Sequence, residues 1–261
     1  MRRHPGHPWR INLEDVAKIA SGLDYFDFMN ELAALFTTES SSEKNSRPPQ
    51  WIIDKNPVNT LHVHHFLKVY PQTKAIFLVR DPRANIASRM ESQNWIHGRK
   101  NHWMINAHRW RSYNRYYYTL KNQFPDQIHL LRYEDFVLNP QQHLDELCEF
   151  LEIPSIPLES PNPITLTNVD QSTARLAKKY RDLSAPINPH AISRWKEVLN
   201  QDTLERIEAL CGKEMEFYGY ARETHVKASI PRKFCFLAYW YALKEQLIFH
   251  LPVALKLKRI E

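Results

Sequence analysis

Two short apolar runs mark the most regular part of the sequence. Ala75–Val79 is continuously apolar, which is typical of a strand buried on both faces, and Ile128–Arg132 predicts a second buried strand. Helices are predicted after the strands, over Ala84–Met90 and residues 140–151, with a long aromatic helix over Asn101–Asn122 between them. This alternation predicts an α/β fold with a central parallel sheet and ligands at the carboxyl ends of its strands.

The flanking sequence is less regular. Before the first strand the pattern predicts two helices within residues 12–36, followed by a polar loop over residues 37–50. A short strand over residues 51–53 and a further helix over residues 58–69 complete this part. Residues 152–190 hold six of the 17 prolines and predict a long loop, and helices are predicted again over residues 191–218. We expect one domain over residues 1–225 and an aromatic, partly basic helical extension over residues 226–261.

Composition and charge narrow the class of protein. A hydrophobic fraction of 43% and a charged fraction of 25% are typical of a soluble globular chain. The net charge of +6 favours an anionic partner, such as a nucleotide, an acidic substrate, a nucleic acid or a membrane surface. No apolar run follows the basic residues at the start, so a secretory signal is not expected in this sequence and a cytoplasmic location is favoured.

The cysteines and histidines do not predict a metal site. Cys148, Cys211 and Cys235 are far apart and lie in apolar helical patterns, so we expect reduced core residues rather than disulfides or zinc ligands. The histidines between positions 62 and 65 lack the spacing of a metal motif and are interpreted as a solvated helix face.

A candidate anion site follows the first strand. Arg80 stands at the strand end, and Asp81 with Pro82 is a good helix start, so an arginine fork and helix N–H groups meet there. Ser88 lies about two turns into the helix and reaches the same anion only if the anion lies along the helix flank. Spacing alone leaves an alternative open, in which Arg80 pairs with Asp81 or Glu134 and Ser88 is an ordinary surface residue.

Four stretches in collinear order resemble sulfotransferases that use 3′-phosphoadenosine 5′-phosphosulfate (PAPS). VRDPRANIAS looks like their 3′-phosphate-binding motif, and the longer WIIDKNPVNTLHVHHFLKVYPQTKAIFLVRDPRANIASRM is similar to tyrosylprotein and bacterial sulfotransferases. LLRYEDFVLNPQQHLDELCEFLEIP and SAPINPHAISRWKEVL resemble later stretches of the same family. The resemblance spans residue 51 to about residue 220 and implies a P-loop NTPase-like three-layer α/β fold with a central parallel sheet.

The resemblance also implies roles for individual residues. Arg80 and Ser88 would bind the 3′-phosphate of PAPS, and Tyr133 would contact its adenine. Asn188 and Arg194 would belong to the segment that closes over the nucleotide. PAPS would be the co-substrate, and no metal ion is implied.

Asp54 and Lys55 are the catalytic residues that the resemblance implies. Lys55 matches a family lysine that stabilises the negative charge left on the phosphate as the sulfuryl group departs. Asp54 is either the base for the acceptor hydroxyl or the ion-pair partner of Lys55. The implied reaction transfers a sulfuryl group from PAPS to a hydroxyl of a small molecule, a glycan or a protein tyrosine.

One family element has no counterpart in the sequence. Members open with a strand and a loop similar to Arg-Ser-Gly-Thr-Thr, whose backbone N–H groups hold the 5′-phosphosulfate. None of the five glycines stands in such a context, so the N-terminal strand and loop are missing from the predicted fold. A start assigned too late, a truncated gene and a degenerate member that no longer transfers sulfate are the three interpretations.

Two further functions stay open at this point. A non-catalytic member would bind a 3′-phosphoadenosine nucleotide without transferring sulfate. A basic nucleic-acid or membrane-surface protein is the other alternative, although the arginines and aromatics of residues 109–118 fit a helix with one core face better than a nucleic-acid surface. The aromatic segment 234–257 is expected to contact the domain, a partner subunit in an oligomer, or an anionic membrane.

Overall fold

The computed structural model describes residues 53–55, 57–91, 102–158 and 187–225, together with the single positions 27, 28, 31, 236 and 240. The chain divides into two compact units, one of residues 1–55 and 159–186 and the other of residues 56–158 and 187–261. The second unit holds every helix and strand whose bounds are given below. In chain order these are a 3₁₀ turn Pro57–Leu61, α1 Val63–Val69, β1 Ala75–Val79, α2 Pro82–Glu91, α3 Trp103–Leu120, β2 Ile128–Arg132, α4 Tyr133–Leu138, α5 Pro140–Leu151, α6 His190–Ser193, α7 Trp195–Val198 and α8 Gln201–Phe217.

The two strands pair in parallel, as the sequence predicts. Val79, the last residue of β1, lies opposite Arg132, the last residue of β2. Arg80 and Tyr133, which follow these two residues in the chain, therefore leave the strand pair at the same edge. The predicted α/β class with a parallel sheet is confirmed.

The expectation that β1 is buried on both faces is wrong. Val79 is buried, but Ile76 and Leu78, whose side chains share the other face, are 42% and 60% exposed. On that face α5 packs against β2, where His129 contacts Phe150 at 5.2 Å between ring centroids, while the neighbouring part of β1 stays open. A continuous apolar run therefore did not distinguish a strand covered on both faces from one covered on a single face.

Helix α2 begins as the sequence predicts. The Asp81 carboxylate accepts a hydrogen bond from the Arg83 N–H at 2.8 Å, and the Asp81 carbonyl accepts one from the Asn85 N–H at 2.9 Å. Pro82 occupies the first helical position, where its missing N–H costs nothing. Asp81 is thus the N-cap that fixes where α2 leaves the strand.

The main core lies where α2, α3 and α8 pack together. Its fully buried members are contributed by these helices, by the end of β1 and by the chain after α8: Val79, Ile86, Ala107, Trp110, Ile207, Leu210, Cys211, Met215, Tyr218 and Tyr220. A second cluster joins α2 to α7 and α8 through Ala84, Ala87, Trp195 and Leu204. Helix α2 is therefore held from two sides, by the main core and by the packing of Ala84 and Ala87 against α7 and α8.

The other helices follow the predictions with shifted bounds. The predicted helix 58–69 is a 3₁₀ turn followed by α1, the predicted helix 101–122 is α3, and the predicted stretch 191–218 contains α6, α7 and α8. Tyr133 directly follows β2 and begins α4, where Glu134 and Asp135 place acidic groups in the first turn. Ile53, predicted to be in a strand, is in no strand and is 83% exposed.

Several predictions fall outside the described residues. These include most of the helices over 12–36, the polar loop 37–50, the missing phosphosulfate loop, most of the proline-rich excursion and nearly all of the C-terminal extension. Phe236 and Trp240 are exposed positions in that extension, and the domain boundary at residue 225 stays a prediction. Cys148 and Cys211 are buried and free, as expected. None of the helices in the described part of the chain has the length and apolar character needed to cross a bilayer.

Candidate anion-binding site

A surface pocket of about 130 Å³ lies between one flank of α2 and the segment of α6 and α7. The residues that line it are Arg80, Ala84, Ala87, Ser88, Glu91, Ala191, Arg194, Trp195 and Val198. Arg80, Ser88 and Arg194, which the sequence assigns to nucleotide binding, therefore line one pocket although more than a hundred positions separate the first from the last.

The pocket uses the flank of α2 rather than its end. Ala84, Ala87, Ser88 and Glu91 follow one another at the helical spacing that brings side chains onto one face. This is the geometry that the position of Ser88 requires, because a serine two turns into a helix reaches an anion only along the helix flank. Ala84 and Ala87 are buried and have short side chains, so they leave space in front of the exposed Ser88.

Arg80 is held at the strand end by groups without charge. Its Nη2 donates to the Ala191 carbonyl at 2.7 Å, and its guanidinium lies 4.4 Å from the centre of the Tyr133 ring. The Arg80 carbonyl accepts a hydrogen bond from Trp110 Nε1 at 2.8 Å. Arg80 Nε is buried and has no hydrogen-bond partner among the described residues. The side chain is thus oriented while part of its donor capacity remains unused.

The alternative in which Arg80 pairs with a neighbouring carboxylate is wrong. Asp81 is bound by Arg83 at 2.6 Å. Glu134 accepts hydrogen bonds from the Asp81 N–H at 3.0 Å and from the Tyr220 hydroxyl at 2.8 Å. Both carboxylates are therefore bound by groups other than Arg80. Within the described part of the chain, no ion pair neutralises Arg80.

A buried ion network behind the pocket orients α2. Arg83 bridges two carboxylates, Asp81 at 2.6 Å and Glu208 of α8 at 2.7 Å, and its guanidinium lies 4.4 Å from the Trp195 ring centre. All four side chains are buried. Arg83 therefore ties the start of α2 to α8 and supports Trp195, which forms a wall of the pocket.

Sequence reasoning missed this network. The only signal for Glu208 was a charged residue inside the apolar stripe of α8, next to Ile207 and one turn before Cys211. Burial raises the pKa of Glu208, but hydrogen bonds from the backbone N–H groups of Glu223 and Thr224, together with Arg83, hold it below its ordinary value. A buried carboxylate in that position needs a cation, and Arg83 supplies it.

Arg194 reaches the pocket from the junction of α6 and α7. Its Nη2 lies 2.9 Å from Glu91 Oε1 at the last residue of α2, so this ion pair joins the two walls of the pocket. The side chains are 57% and 37% exposed, respectively, and Glu91 was not among the predicted site residues.

Tyr133 and Asn188 are not among the residues that line the pocket. Tyr133 lies beneath Arg80 and is only partly buried. Asn188 is exposed, and its side-chain oxygen accepts a hydrogen bond from the His190 N–H at 3.0 Å at the start of α6. Both residues thus contact the elements that build the pocket, and their predicted contacts with a nucleotide stay predictions.

Asp54 and Lys55 belong to the first compact unit. Both are exposed and lie in no helix or strand. Their predicted catalytic roles therefore stay predictions.

The pocket suits a small, multiply charged anion. Two arginines and a serine hydroxyl supply donors, and arginine binds phosphate-like groups through two parallel hydrogen bonds. A volume of about 130 Å³ exceeds the roughly 10–15 Å³ that is enough to hold one water on the same measure, but it is smaller than the roughly 300–1,000 Å³ of sites that enclose a whole ligand. It fits one anionic group rather than an entire nucleotide. Over the described residues, no three side chains of His, Cys, Asp or Glu are grouped as metal ligands.

The pocket lies at the carboxyl edge of a parallel strand pair, which is where ligands bind in open α/β sheets. A model of the sulfotransferase family matches residues 12–157, more than half of the 261 residues. The chain belongs to the sulfotransferase family, as its sequence predicted. The matched range includes Arg80, Ser88 and Glu91 and ends before Arg194.

The chain is similar to curated proteins of three animals. It is 25% identical over 165 residues to protein-tyrosine sulfotransferase 1 of Danio rerio, covering 58% of this chain and 43% of that protein. It is 24% identical over 183 residues to protein-tyrosine sulfotransferase of Drosophila melanogaster, covering 65% and 34%, respectively. It is 23% identical over 177 residues to protein-tyrosine sulfotransferase 2 of Gallus gallus, covering 62% of this chain and 44% of that protein. The matched part is thus less than half of each relative's length.

A solved structure, the sulfotransferase domain from the curacin biosynthetic pathway, superposes with a TM-score of 0.43 at 22% identity over 63% of each chain.

Proposed function

We propose that this chain binds PAPS with the 3′-phosphate in the pocket of Arg80, Ser88 and Arg194, and that it transfers the sulfuryl group to a hydroxyl. The observation that supports the proposal most strongly is the convergence of these three donors on one pocket at the carboxyl edge of the strand pair. Membership of the sulfotransferase family supports the reaction class. Because the similar curated proteins are named protein-tyrosine sulfotransferases, we propose a protein tyrosine as the acceptor.

The unpaired nitrogen of the Arg80 guanidinium suits an anionic ligand such as the 3′-phosphate of the nucleotide. A buried guanidinium nitrogen without a partner is costly, and an anion in the pocket would satisfy it. Ala191 and Tyr133 orient Arg80 before the ligand arrives, so little side-chain entropy is lost on binding. One face of the Tyr133 ring is covered by Arg80, so we propose that the adenine contacts its other face or its hydroxyl.

The proposed transfer moves one sulfuryl group between two oxygens. The acceptor oxygen bonds to sulfur as the bond between sulfur and the bridging phosphate oxygen breaks, and the electron pair of that bond stays on the phosphate. The products are a sulfate ester and 3′,5′-adenosine bisphosphate, and the acceptor proton passes to a base. Lys55 is proposed to stabilise the charge that grows on the bridging oxygen, and Asp54 to accept the proton.

Nucleotide binding is tested by titrating the chain with 3′,5′-adenosine bisphosphate in a calorimeter. Hydrogen bonds to charged groups are worth about 1.5–3 kcal/mol, so we expect Arg80→Ala to weaken binding roughly tenfold to a hundredfold. Arg206→Ala is the matched control, because Arg206 lies on α8, outside the pocket lining, and pairs with Asp202 of the same helix. If the unmodified chain does not bind, or if both variants bind equally well, the proposed site is wrong.

Transfer is tested with radiolabelled PAPS and a tyrosine-containing peptide. We expect Lys55→Ala to lower the rate of transfer at least tenfold while the affinity for 3′,5′-adenosine bisphosphate is unchanged. Lys68→Ala, which removes an exposed lysine from α1, is expected to leave the rate unchanged. Nucleotide binding without any sulfate transfer would contradict the proposed reaction and would favour the binding-only function.

A further inference from the structure

The anion pocket contains one acidic side chain. Arg80, Ser88 and Arg194 offer hydrogen-bond donors to the pocket, whereas the Glu91 carboxylate offers only acceptors. A negative charge in a pocket for anions opposes ligand binding, since like charges at short range repel. The position of Glu91 therefore needs an explanation that the proposed function does not supply.

Glu91 is paired with Arg194, a residue assigned to the ligand. Glu91 Oε1 and Arg194 Nη2 are 2.9 Å apart, a charge-assisted hydrogen-bond distance. The pair spans the pocket from the last residue of α2 to the junction of α6 and α7. An anion that is to be bound by Arg194 in this arrangement meets a guanidinium whose Nη2 already donates to a carboxylate.

We propose that Glu91 is a built-in competitor of the ligand, which occupies Arg194 in the free protein and releases it to the phosphate on binding. The inference rests on the proposed function, because it assigns a regulation of affinity to the same pocket. Glu91 thereby lowers the affinity for the nucleotide and, since the bisphosphate product carries the same 3′-phosphate, favours its release.

The exposure of the pair makes this exchange feasible. Arg194 is 57% exposed and Glu91 is 37% exposed, and ion pairs in such surroundings contribute little to stability. A phosphate brings more charge and more acceptor oxygens than one carboxylate, so it binds the freed guanidinium more strongly. The pair thus yields to the anion at a small cost.

The two arginines of the pocket differ in this respect. Arg80 is held by the Ala191 carbonyl and the Tyr133 ring, neither of which is charged, so its binding of an anion breaks no ion pair. Arg194 exchanges one anionic partner for another. Arg80 is therefore ready to bind an anion at all times. Arg194 can bind the anion only after its contact with Glu91 is broken.

The experiment measures the affinity of Glu91→Gln for 3′,5′-adenosine bisphosphate by calorimetric titration. Removing the negative charge is expected to tighten binding roughly threefold to tenfold, because the repulsion disappears and the neutral amide competes less strongly for Arg194. Glu216→Gln is the matched control, since Glu216 forms an exposed pair with Arg222 at the same distance of 2.9 Å outside the pocket. Unchanged affinity in Glu91→Gln would overturn the inference, and weaker affinity would overturn it and would mean that Glu91 positions Arg194 for the ligand.

A second variant separates competition from simple repulsion. In the Arg194→Ala background, the tightening produced by Glu91→Gln is expected to shrink to less than half, because no guanidinium remains to be released. Equal tightening in both backgrounds would show that Glu91 acts on the anion directly, and would overturn the exchange.

The outcomes for the site and for the competitor are distinguishable. Binding that is lost in Arg80→Ala, combined with no tightening in Glu91→Gln, contradicts the competitor alone. Binding that is absent in the unmodified chain contradicts the proposed function as well.

Discussion

The guanidinium of Arg80 lies 4.4 Å from the centre of the Tyr133 ring because the residues that precede them, Val79 and Arg132, are paired in the parallel strands. The contact is thus a direct result of strand register. A shift of one strand by one residue would move the side chains of that strand to the opposite face of the sheet and would break the contact. The proposed anion site therefore lies at the end of the most regular part of the described fold.

The ring of Tyr133 is expected to matter more than its hydroxyl. Tyr133→Ala removes the surface that orients Arg80, and cation–π contacts are worth about 0.5–2 kcal/mol, so the affinity for 3′,5′-adenosine bisphosphate should fall roughly threefold to thirtyfold. Tyr133→Phe keeps the ring and should bind within about twofold of the unmodified chain. Calorimetric titration of both variants tests this, and an equal loss in the two would assign the effect to the hydroxyl.

Ser88 is expected to contribute to binding and not to stability. Its side chain is exposed on α2, so Ser88→Ala should leave the thermal unfolding midpoint unchanged. The loss of one hydrogen bond to a charged phosphate should weaken nucleotide binding about tenfold. Ser193→Ala, which removes an exposed hydroxyl outside the pocket lining, serves as the control and should bind normally. A Ser88→Ala chain with full affinity would remove Ser88 from the site.

Glu208 is expected to make stability dependent on pH under acidic conditions. Its folded-state pKa lies below the ordinary value of 4.5, because N–H donors and Arg83 favour the carboxylate over the burial that opposes it. The stabilisation is therefore complete above pH 4.5 and is lost as the pH falls through the folded pKa. Glu208→Gln should lower the unfolding midpoint at neutral pH, and the difference should narrow under acid. The test is thermal unfolding, followed by circular dichroism, of both proteins between neutral pH and a pH below 4.5. A difference that is constant with pH would contradict the assignment.

Gly219 is expected to tolerate no side chain without cost. It lies two residues after the end of α8 and has a φ of 75°. The Gly219 N–H donates to the Glu216 carbonyl at 3.1 Å, and the Tyr220 N–H donates to the Met215 carbonyl at 2.9 Å. An added Cβ would meet no atom closer than Arg132 Nη1 at 3.9 Å, so the cost arises from the backbone alone. Gly219→Ala should destabilise the chain by about 1–2 kcal/mol in urea unfolding. A destabilisation near zero would contradict the left-handed geometry.

The local parts of the structure were predictable from the sequence. The strand bounds, the Asp81 cap and the parallel pairing follow from apolar runs and helix-start chemistry, which act over a few residues. The meeting of Arg80 with Arg194 was predictable only through the family resemblance, because no periodicity joins positions that far apart.

The missed features have a common physical cause. Arg83 and Glu208 are 125 positions apart, and Glu91 and Arg194 are 103 positions apart, so each pair depends on how helices pack rather than on local propensity. The open face of Ile76 and Leu78 was missed for the same reason, since an apolar run does not say which of its sides another element covers.

The contrast between the two arginines has a consequence for ionic strength. Dissolved salt weakens interactions between exposed charges, with a screening length of about 8 Å at physiological concentration, so it loosens the contact between Arg194 and Glu91. It has little effect on a hydrogen bond to a carbonyl or on a ring beneath a guanidinium, so Arg80 keeps its orientation. Across the range of salt that a cell or a buffer presents, one side of the pocket stays rigid while the other side loosens.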